Sequence, residues 1–276
     1  MPVDPALYPY FDPKNDRRVA VVTGWNLGIG FYTVLHLYLH GFVVYIAGRS
    51  RLRVNKAITE IHQQATERTV RYSPQQTETR PTGELVFLEL DLLDLELVAR
   101  AAENLARWEQ KLHILVNNAG VMALPFSITQ DGFEIQQQTN HVAPFLFTMR
   151  LLPLLEAAAS LLQNPRIINL LLVGHHFAFR YFSMDLTFNY HPNIIFTWFR
   201  YGLAKTASIH LMKMLALRNP HILCLSVHPG FVMNTNLFAY WTRLPFVGIL
   251  FWCFFQLFGW IFGVSNEEGA TALLKC

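Results

Sequence analysis

The stretch that decides the fold runs from Val19 to Gly30 and reads VAVVTGWNLGIG. Its apolar, largely β-branched first half predicts a buried strand, and the apolar residues after the glycines predict a helix from Gly28 to about His40. Gly24 permits a tight turn, whereas Gly28 and Gly30 let the backbone approach a pyrophosphate and let the helix pack on the strand. The amino terminus of such a helix also attracts an anion.

A glycine pattern alone is weak evidence, because an ordinary turn between a strand and a helix can carry the same residues. The context favours the more specific interpretation. A strand before the glycines and a helix after them, within one βαβ unit, is the arrangement that dinucleotide binding requires. We therefore expect this loop to bind a nicotinamide dinucleotide, through Gly24, Asn26, Gly28, Ile29 and Gly30.

Short apolar strands alternate with longer helical stretches along the rest of the chain. The further predicted elements are strands at 43–46, 85–90, 112–116, 166–173 and 222–227 and helices at about 51–66, 94–110, 132–162 and 197–218. Such alternation implies a mainly parallel, doubly wound sheet with right-handed crossovers and helices on both faces. With no repeat and no boundary in the pattern, we predict one Rossmann-type α/β domain over residues 1–276, of which residues 1–17 form an N-terminal extension.

The composition limits the function classes. Hydrophobic residues make up 52% of the chain and charged residues only 15%, whereas soluble domains carry about a quarter charged residues. The chain therefore has an extensive core or contacts a membrane. A net charge of +3 without a basic stripe argues against nucleic acid as a partner. The three cysteines are far apart, and we expect no disulfide framework, no metal site and no secretion signal.

The end of the second predicted strand favours NADP over NAD. An acidic residue there would hydrogen-bond the ribose 2′-hydroxyl of NAD, whereas an arginine suits the 2′-phosphate of NADP. The sequence has no Asp or Glu at this point but carries Arg49, Arg51 and Arg53. A solvated, charged start to a helix is the alternative interpretation. We expect NADP, in its reduced form NADPH, to be held by Arg49.

Tyr201 and Lys205 are the candidate reacting groups. They are four residues apart in a predicted helix, so both lie on one face. A nearby ammonium favours the phenolate and lowers the pKa of a tyrosine from its usual value of about 10, which suits it to general acid–base catalysis. An isolated Tyr-x-x-x-Lys is most often a pair of surface neighbours, but this pair follows the fifth strand of a dinucleotide fold.

In combination, these motifs resemble those of the classical short-chain dehydrogenases/reductases. The resemblance covers about Arg18 to the last residue and is closest to the retinol-dehydrogenase-like branch, with details similar to fungal membrane or lipid-droplet oxidoreductases. Beside the glycine loop and the Tyr-Lys pair, the motifs that carry it are DL at 91–92, NNAG at 117–120, QTNH at 138–141, FSMDL at 182–186 and HPG at 228–230.

The resemblance implies further positions that hold the dinucleotide. Asp91 would bind the adenine amino group, with Leu92 beside it. The remaining positions would line the adenosine and its ribose (Asn117, Ala119 and Gly120) or the edge of the nicotinamide (Pro229, Gly230, Val232, and Thr235 in preference to Asn234).

The resemblance also implies how the reaction is shared among side chains. Tyr201 would exchange a proton with the substrate oxygen while hydride moves between the nicotinamide and the substrate carbon. Lys205 would hold the nicotinamide ribose and lower the pKa of Tyr201. Asn140 would support a water molecule in a proton relay near Lys205.

Four residues depart from the family pattern. Leu172 stands where the family carries its catalytic serine, and losing such a hydrogen-bond donor typically costs about 10² to 10³ in turnover. Leu27 and Leu171 also stand at expected serine positions, and Trp25 replaces a small residue, where it would crowd the phosphate side of the cofactor. Two hypotheses stay open. The protein is a degenerate enzyme that keeps the fold and loses much of its activity, or the leucines are encoded by CUG codons, which some yeasts translate as serine.

The segment 244–264 is almost entirely apolar and carries no charge. About 20 such residues can span a bilayer. Because the segment lies where the family has its substrate lid, we prefer a lid that dips into a membrane or lipid-droplet surface through its Trp and Phe residues. A lid packed on its own domain or at a dimer contact is the rival. The chain stops within the helix that precedes the family's last strand, so we expect that strand to be missing.

The leading hypothesis is an NADP-dependent oxidoreductase that interconverts a lipophilic alcohol and its aldehyde or ketone. We expect a membrane-associated protein on the cytosolic side of the endoplasmic reticulum or on lipid droplets, with a homodimer as one form. The alternative is a catalytically impaired relative that binds nucleotide or membrane without efficient turnover.

Overall fold

A computed structural model describes residues 9–25, 28–70, 80–171, 188–232, 239–242, 248–250, 252–253, 256–257 and 263–275. These residues form a parallel sheet with helices on both faces. The strands are β1 (Val19–Thr23), β2 (Val43–Gly48), β3 (Glu84–Glu89), β4 (Ile114–Asn117), β5 (Arg166–Leu170) and β6 (Leu223–Val227). The helices are α1 (Ile29–Leu39), α2 (Arg51–Thr69), α3 (Leu95–Trp108), α4 (Ile135–Gln137), α5 (Ala143–Ala159), α6 (Asn193–Arg218), α7 (Ala239–Thr242) and α8 (Asn266–Leu274), with a π-helical turn (Gln138–Val142) between α4 and α5.

The strand order confirms the predicted doubly wound sheet. The order is β3-β2-β1-β4-β5-β6, and every neighbouring pair is parallel. The direction of winding reverses between β1 and β4, so a crevice opens beyond their carboxyl ends, at Thr23 and Asn117. In open α/β sheets, this switch point is where ligands bind.

The first strand is buried along its whole length because helices cover both of its faces. Val19 and Val21 pack in a cluster with α3, α5 and α6, whereas Ala20 and Val22 pack in a second cluster with α1, α2 and α8. Side chains alternate between the faces of a strand, so a strand between two helical layers is apolar at every position. This explains the continuous apolar run that predicts β1.

Most predicted elements agree with the structure to within a few residues, and two differ in an informative way. The helix predicted over 132–162 is divided into α4, the π-helical turn and α5. Helix α6 starts at Asn193, directly after Pro192, rather than at Thr197. Of the strand predicted over 166–173, the part beyond Leu171 lies outside the described residues.

The described part of the N-terminal extension docks at the amino edge of the sheet. The backbone N–H of Phe11 donates to the carbonyl of His40 at 3.0 Å, and the Phe11 ring meets Phe42 edge-on at 5.2 Å. Arg17 binds the buried Glu109 carboxylate at 2.7 Å. The extension therefore covers the edge opposite the crevice.

One described helical stretch, Ile135–Ala159, is long and apolar enough to cross a membrane by length and composition. Its side chains Phe147, Leu151 and Leu155 are fully buried against the sheet. A core helix passes the same test of length and hydropathy, so we assign this stretch to the core. Most of the apolar segment 244–264 lies outside the described residues.

Candidate cofactor cleft and active site

A cleft of about 600 Å³ lies at the carboxyl ends of the strands. It brings together most of the residues that the sequence nominates. Those on its lining are Gly24, Ile29, Arg49, Asp91, Leu92, Ala119, Gly120, Tyr201, Lys205, Pro229 and Val232. Two other nominated residues, Asn26 and Thr235, lie outside the described residues.

The glycine loop leaves the start of α1 open to an anion. Gly24 and Gly28 have φ angles of +67° and +66°, a region that other L-residues rarely adopt. Helix α1 has no side-chain cap at Gly28 and no acidic residue in its first turn. Its free N–H groups and its dipole therefore face the cleft without a competing carboxylate, which fits a pyrophosphate.

The loop is also packed too tightly to accept side chains at two of its glycines. A Cβ atom on Gly24 would lie 2.6 Å from the Cα atom of Ala119, and a Cβ atom on Gly30 would collide with the Gly24 carbonyl. The loop after β1 therefore rests directly on the loop after β4.

Asn118 ties these two loops together. Its Nδ2 donates to the carbonyls of Thr23 at 3.0 Å and Gly24 at 2.6 Å, while the Thr23 hydroxyl accepts from the backbone N–H groups of Asn118 and Ala119. The sequence pattern nominates Asn117 for the cleft wall, but the structure buries that side chain beneath the cleft, where its Nδ2 donates to Thr148 Oγ1 at 3.0 Å. Alternation along β4 decides which of the two asparagines reaches the cleft.

The arginines after β2 separate into two groups. Arg49 and Arg53 line the cleft, together with Ser50, which caps α2 by accepting from the Arg53 backbone N–H. Arg51 instead lies over the Phe87 ring at 4.6 Å. Arg53 and Ser50 thus join Arg49 as candidates for binding a 2′-phosphate.

Trp25 lies elsewhere than its place in the loop suggests. Its side chain is 5% exposed, and its Cε2 atom is 3.1 Å from the position of a Cβ atom on Gly48. The indole therefore covers the end of β2, where it lines the cleft beside Arg49 and Ser50. A long side chain on the first loop can reach the neighbouring strand, which sequence position alone does not reveal.

The other end of the cleft holds the two candidate reacting groups. Tyr201 is fully buried, and no described residue accepts a hydrogen bond from its hydroxyl. Lys205 is 6% exposed, and its Nζ donates to the Leu170 carbonyl at 2.9 Å and lies 5.7 Å from the centre of the Tyr201 ring. One helical turn of α6 therefore presents both groups to the cleft, as the four-residue spacing predicts.

Burial controls the protonation of both groups. It raises the pKa of Tyr201 well above the usual value of 10, because the phenolate loses its solvation. It lowers the pKa of Lys205 to about 8, because the ammonium is desolvated. The net shift of the Tyr201 pKa is therefore upward, opposite to the shift expected from Lys205 alone. Nζ points to a carbonyl, and desolvation of the phenol outweighs the distant charge.

Asn140 lies in the π-helical turn and holds the segment after β4. Its Oδ1 accepts from the Val121 backbone N–H at 2.9 Å, and its Nδ2 donates to the Val121 carbonyl at 2.8 Å. A Cβ atom on Gly120 would lie 2.8 Å from Asn140 Oδ1 and 3.6 Å from Lys205 Nζ. Ser208 donates through its hydroxyl to the Asn140 carbonyl at 3.1 Å.

A buried ion pair adjoins Tyr201 and has no signal in the sequence. Arg200 is 1% exposed, and its Nε lies 3.3 Å from Glu134 Oε1, without the alignment of a hydrogen bond. The same guanidinium donates to the carbonyls of Phe188 at 2.9 Å and Leu124 at 3.3 Å and to Asn193 Oδ1 at 2.6 Å. Arg200 therefore joins the start of α6 to the segment before α4.

The side of the cleft after β6 is closed by a contact between backbones. Gly230 has a φ of +87°, and a Cβ atom there would lie 2.8 Å from Val264 Cγ2. The Val264 backbone N–H donates to the Phe231 carbonyl at 3.0 Å. The expected serine position, Leu172, lies outside the described residues, whereas Leu171 is buried and donates its backbone N–H to the Val227 carbonyl.

Comparison with known proteins identifies the family. The family model for short chain dehydrogenases matches residues 18–170. This chain belongs to the short-chain dehydrogenase family. An uncharacterized oxidoreductase of Schizosaccharomyces pombe is 38% identical over 236 residues, which are 83% of this chain and 64% of that protein. Bovine retinol dehydrogenase 12 is 34% identical over 261 residues, 94% of this chain and 72% of that protein.

A solved structure has a similar fold. The crystal structure of an uncharacterized protein from Mycobacterium paratuberculosis aligns with a TM-score of 0.67 and 25% identity, covering 99% of this chain and 80% of that one. Short-chain dehydrogenases are oxidoreductases that bind NAD or NADP. Within the described residues, no group of three or more His, Cys, Asp and Glu side chains is arranged to hold a metal ion.

Proposed function

We propose that this chain is an NADP-dependent oxidoreductase that interconverts a lipophilic alcohol and its aldehyde or ketone. One observation carries the proposal: a single cleft is lined by Arg49 and Arg53 near one end and by Tyr201 and Lys205 near the other. Cations suited to a 2′-phosphate and a phenol suited to proton transfer thus share the space that a dinucleotide and a small substrate need.

The residues present fit the dinucleotide. The open start of α1 suits the pyrophosphate, and the absence of a carboxylate directly after β2 suits the 2′-phosphate. NADPH, when bound, supplies the hydride. The residues proposed to hold it are Gly24, Asn26, Gly28, Ile29, Gly30, Arg49, Asp91, Leu92, Ala119, Gly120, Tyr201, Lys205, Pro229, Gly230, Val232 and Thr235.

Tyr201 acts in this proposal as the general acid in the reducing direction. Because burial raises its pKa, the phenol is protonated at neutral pH and has a proton to donate to the substrate oxygen. Lys205, with a pKa of about 8, is still mostly charged at neutral pH and favours the phenolate that forms as the proton leaves. Asn140 fixes the backbone at Val121 beside Lys205 and is proposed to support the return of the proton.

Apolar side chains support a lipophilic substrate. Val121, Leu124 and Ile135 line the cleft. The similar bovine protein is named as a dehydrogenase of retinol, a lipophilic alcohol. We infer that the substrate of this chain belongs to the same broad class.

We also propose that the segment 244–264 contacts a membrane or lipid-droplet surface, on the cytosolic side. Several of its described side chains are apolar and solvent-exposed, with Ile249 72%, Leu250 68% and Leu257 59% exposed. Exposed apolar side chains of this density are typical of an interaction surface. A homodimer contact is the rival use of the same side chains.

A catalytically impaired nucleotide-binding protein is the second candidate function. The observation that favours it is the leucine pair at 171–172, where a serine hydroxyl is expected to donate to the substrate oxygen. A leucine cannot supply that hydrogen bond.

The deciding experiment is titration with NADPH, followed by a panel of retinoids, steroids and fatty aldehydes on the same sample. The proposal expects NADPH binding and consumption. Tyr201→Phe is expected to abolish consumption and keep binding. Tyr45→Phe is the matched control, because Tyr45 is also buried but donates to Glu109 outside the cleft. Binding without consumption by the unsubstituted chain favours the second candidate, and consumption by Tyr201→Phe refutes the role of Tyr201.

A further inference from the structure

We propose that Trp25 is a specificity-determining residue that helps to select NADPH over NADH by donating its indole N–H to the 2′-phosphate. This inference rests on the proposed function, because it presumes that the cleft binds a nicotinamide dinucleotide. It assigns a role to Trp25, which is much larger than the small residue that the family pattern has at this position.

The position of the indole is the first support. Trp25 lines the cleft beside Gly48, Arg49 and Ser50, at the carboxyl end of β2. In a doubly wound fold, the end of this strand is where the protein distinguishes a ribose 2′-hydroxyl from a 2′-phosphate. The tryptophan therefore reaches the discriminating part of the cleft, although its backbone belongs to the glycine loop.

The hydrogen-bonding state of the indole is the second support. Within the described part of the chain, no group accepts a hydrogen bond from Trp25 Nε1, although the side chain is only 5% exposed. An indole N–H can only donate, and the neighbouring guanidinium groups of Arg49 and Arg53 also only donate. A phosphate dianion, which only accepts hydrogen bonds, therefore satisfies these donors better than the ribose 2′-hydroxyl does.

The packing of the indole against Gly48 is the third support. Nε1 is the Trp25 atom nearest to the position of a Cβ atom on Gly48, and Cε2 and Cζ2 follow at 3.1 and 3.3 Å. Any side chain at residue 48 would displace the ring. The glycine thus leaves room for the indole to lie over the strand end, and the two residues form a matched pair.

The test measures binding rather than turnover. Isothermal titration of the full chain with NADPH and with NADH gives both affinities without a substrate. Trp25→Phe keeps an aromatic ring and removes the N–H. Because a hydrogen bond to a charged group is lost, we expect NADPH to bind about tenfold or more weakly, while NADH affinity changes by less than about twofold. Trp108→Phe is the control, since Trp108 is 55% exposed and does not line the cleft.

A second variant keeps the proposal falsifiable if Trp25→Phe is poorly folded. Gly48→Ala retains the indole but displaces it, and we expect the same selective loss of NADPH affinity, with no further loss when both substitutions are combined. Equal weakening of NADPH and NADH, or no weakening of either, would overturn the role of Trp25 and leave the proposed function intact. Failure of the unsubstituted chain to bind either cofactor would overturn both.

Discussion

Replacing Arg200 by methionine removes one partner of the buried ion pair that adjoins Tyr201. The side chains of Arg200 and Glu134 are only 2% and 4% exposed, and their charged atoms lie 3.3 Å apart. In Arg200→Met the Glu134 carboxylate stays buried without its counter-charge, and the carbonyls of Phe188 and Leu124 lose a donor. The start of α6 is then held to the segment before α4 by fewer contacts.

The expected cost follows from this burial. Removing one member of a buried pair typically destabilises a protein by about 3–5 kcal/mol. In a chain of this size, each kcal/mol lowers the melting temperature by about 2–4 °C, so we expect a fall of roughly 10 °C. Burial already raises the pKa of Glu134, so without Arg200 the carboxyl group takes up a proton more readily. The loss is therefore expected to be smaller at pH 5 than at pH 8.

Urea unfolding of Arg200→Met, Glu134→Gln and the double variant measures the coupling between the two residues. We expect a coupling free energy of about 2 kcal/mol. Arg100→Met is the matched control, because its ion pair with Glu96 is exposed and is expected to contribute less than about 0.5 kcal/mol. A coupling below about 0.5 kcal/mol, or a loss from Arg200→Met no larger than that from the control, would refute this reasoning.

Three further predictions concern the cleft. Gly24→Ala is expected to abolish NADPH binding measured by calorimetry, because its Cβ atom would lie 2.6 Å from Ala119 Cα at a φ of +67°; retained affinity would contradict the tight packing of the loop. Lys205 has a pKa of about 8 in the folded chain against the usual 10.5. The unfolded chain thus binds more protons between these values, and unfolding free energy should rise with pH across them by up to about 3 kcal/mol. The same titration of Lys205→Met should lack this rise. Leu172→Ser is expected to raise turnover by about 10² to 10³ with NADPH affinity unchanged. Equal turnover in the two forms would show that no hydroxyl is needed at this position. The coding DNA would show separately whether the codon for residue 172 is CUG.

The sequence was sufficient for the fold because its main signals are local and repeated. The apolar run at 19–23 has to be covered on both sides, and β1 has the predicted bounds. The spacing of Tyr201 and Lys205 on one helix likewise fixes their common face before any tertiary contact is considered. The π-helical turn at Gln138–Val142 was beyond prediction, since contacts with the segment after β4 and with α6, rather than residue preference, hold Asn140 there.

What only the tertiary structure decided is which neighbours each chemical group meets. The glycine loop, with a strand before it and a helix after it, predicted a dinucleotide cleft from the sequence, because it combines backbone freedom with an open helix start. The sequence could not reveal that Trp25 covers Gly48, because the contact joins two different strand ends. Nor could it reveal that Arg200 is buried with Glu134 or that burial raises the pKa of Tyr201, because solvation is a property of packing. Local patterns specified the backbone and the candidate reacting groups, and packing set their charge and their partners.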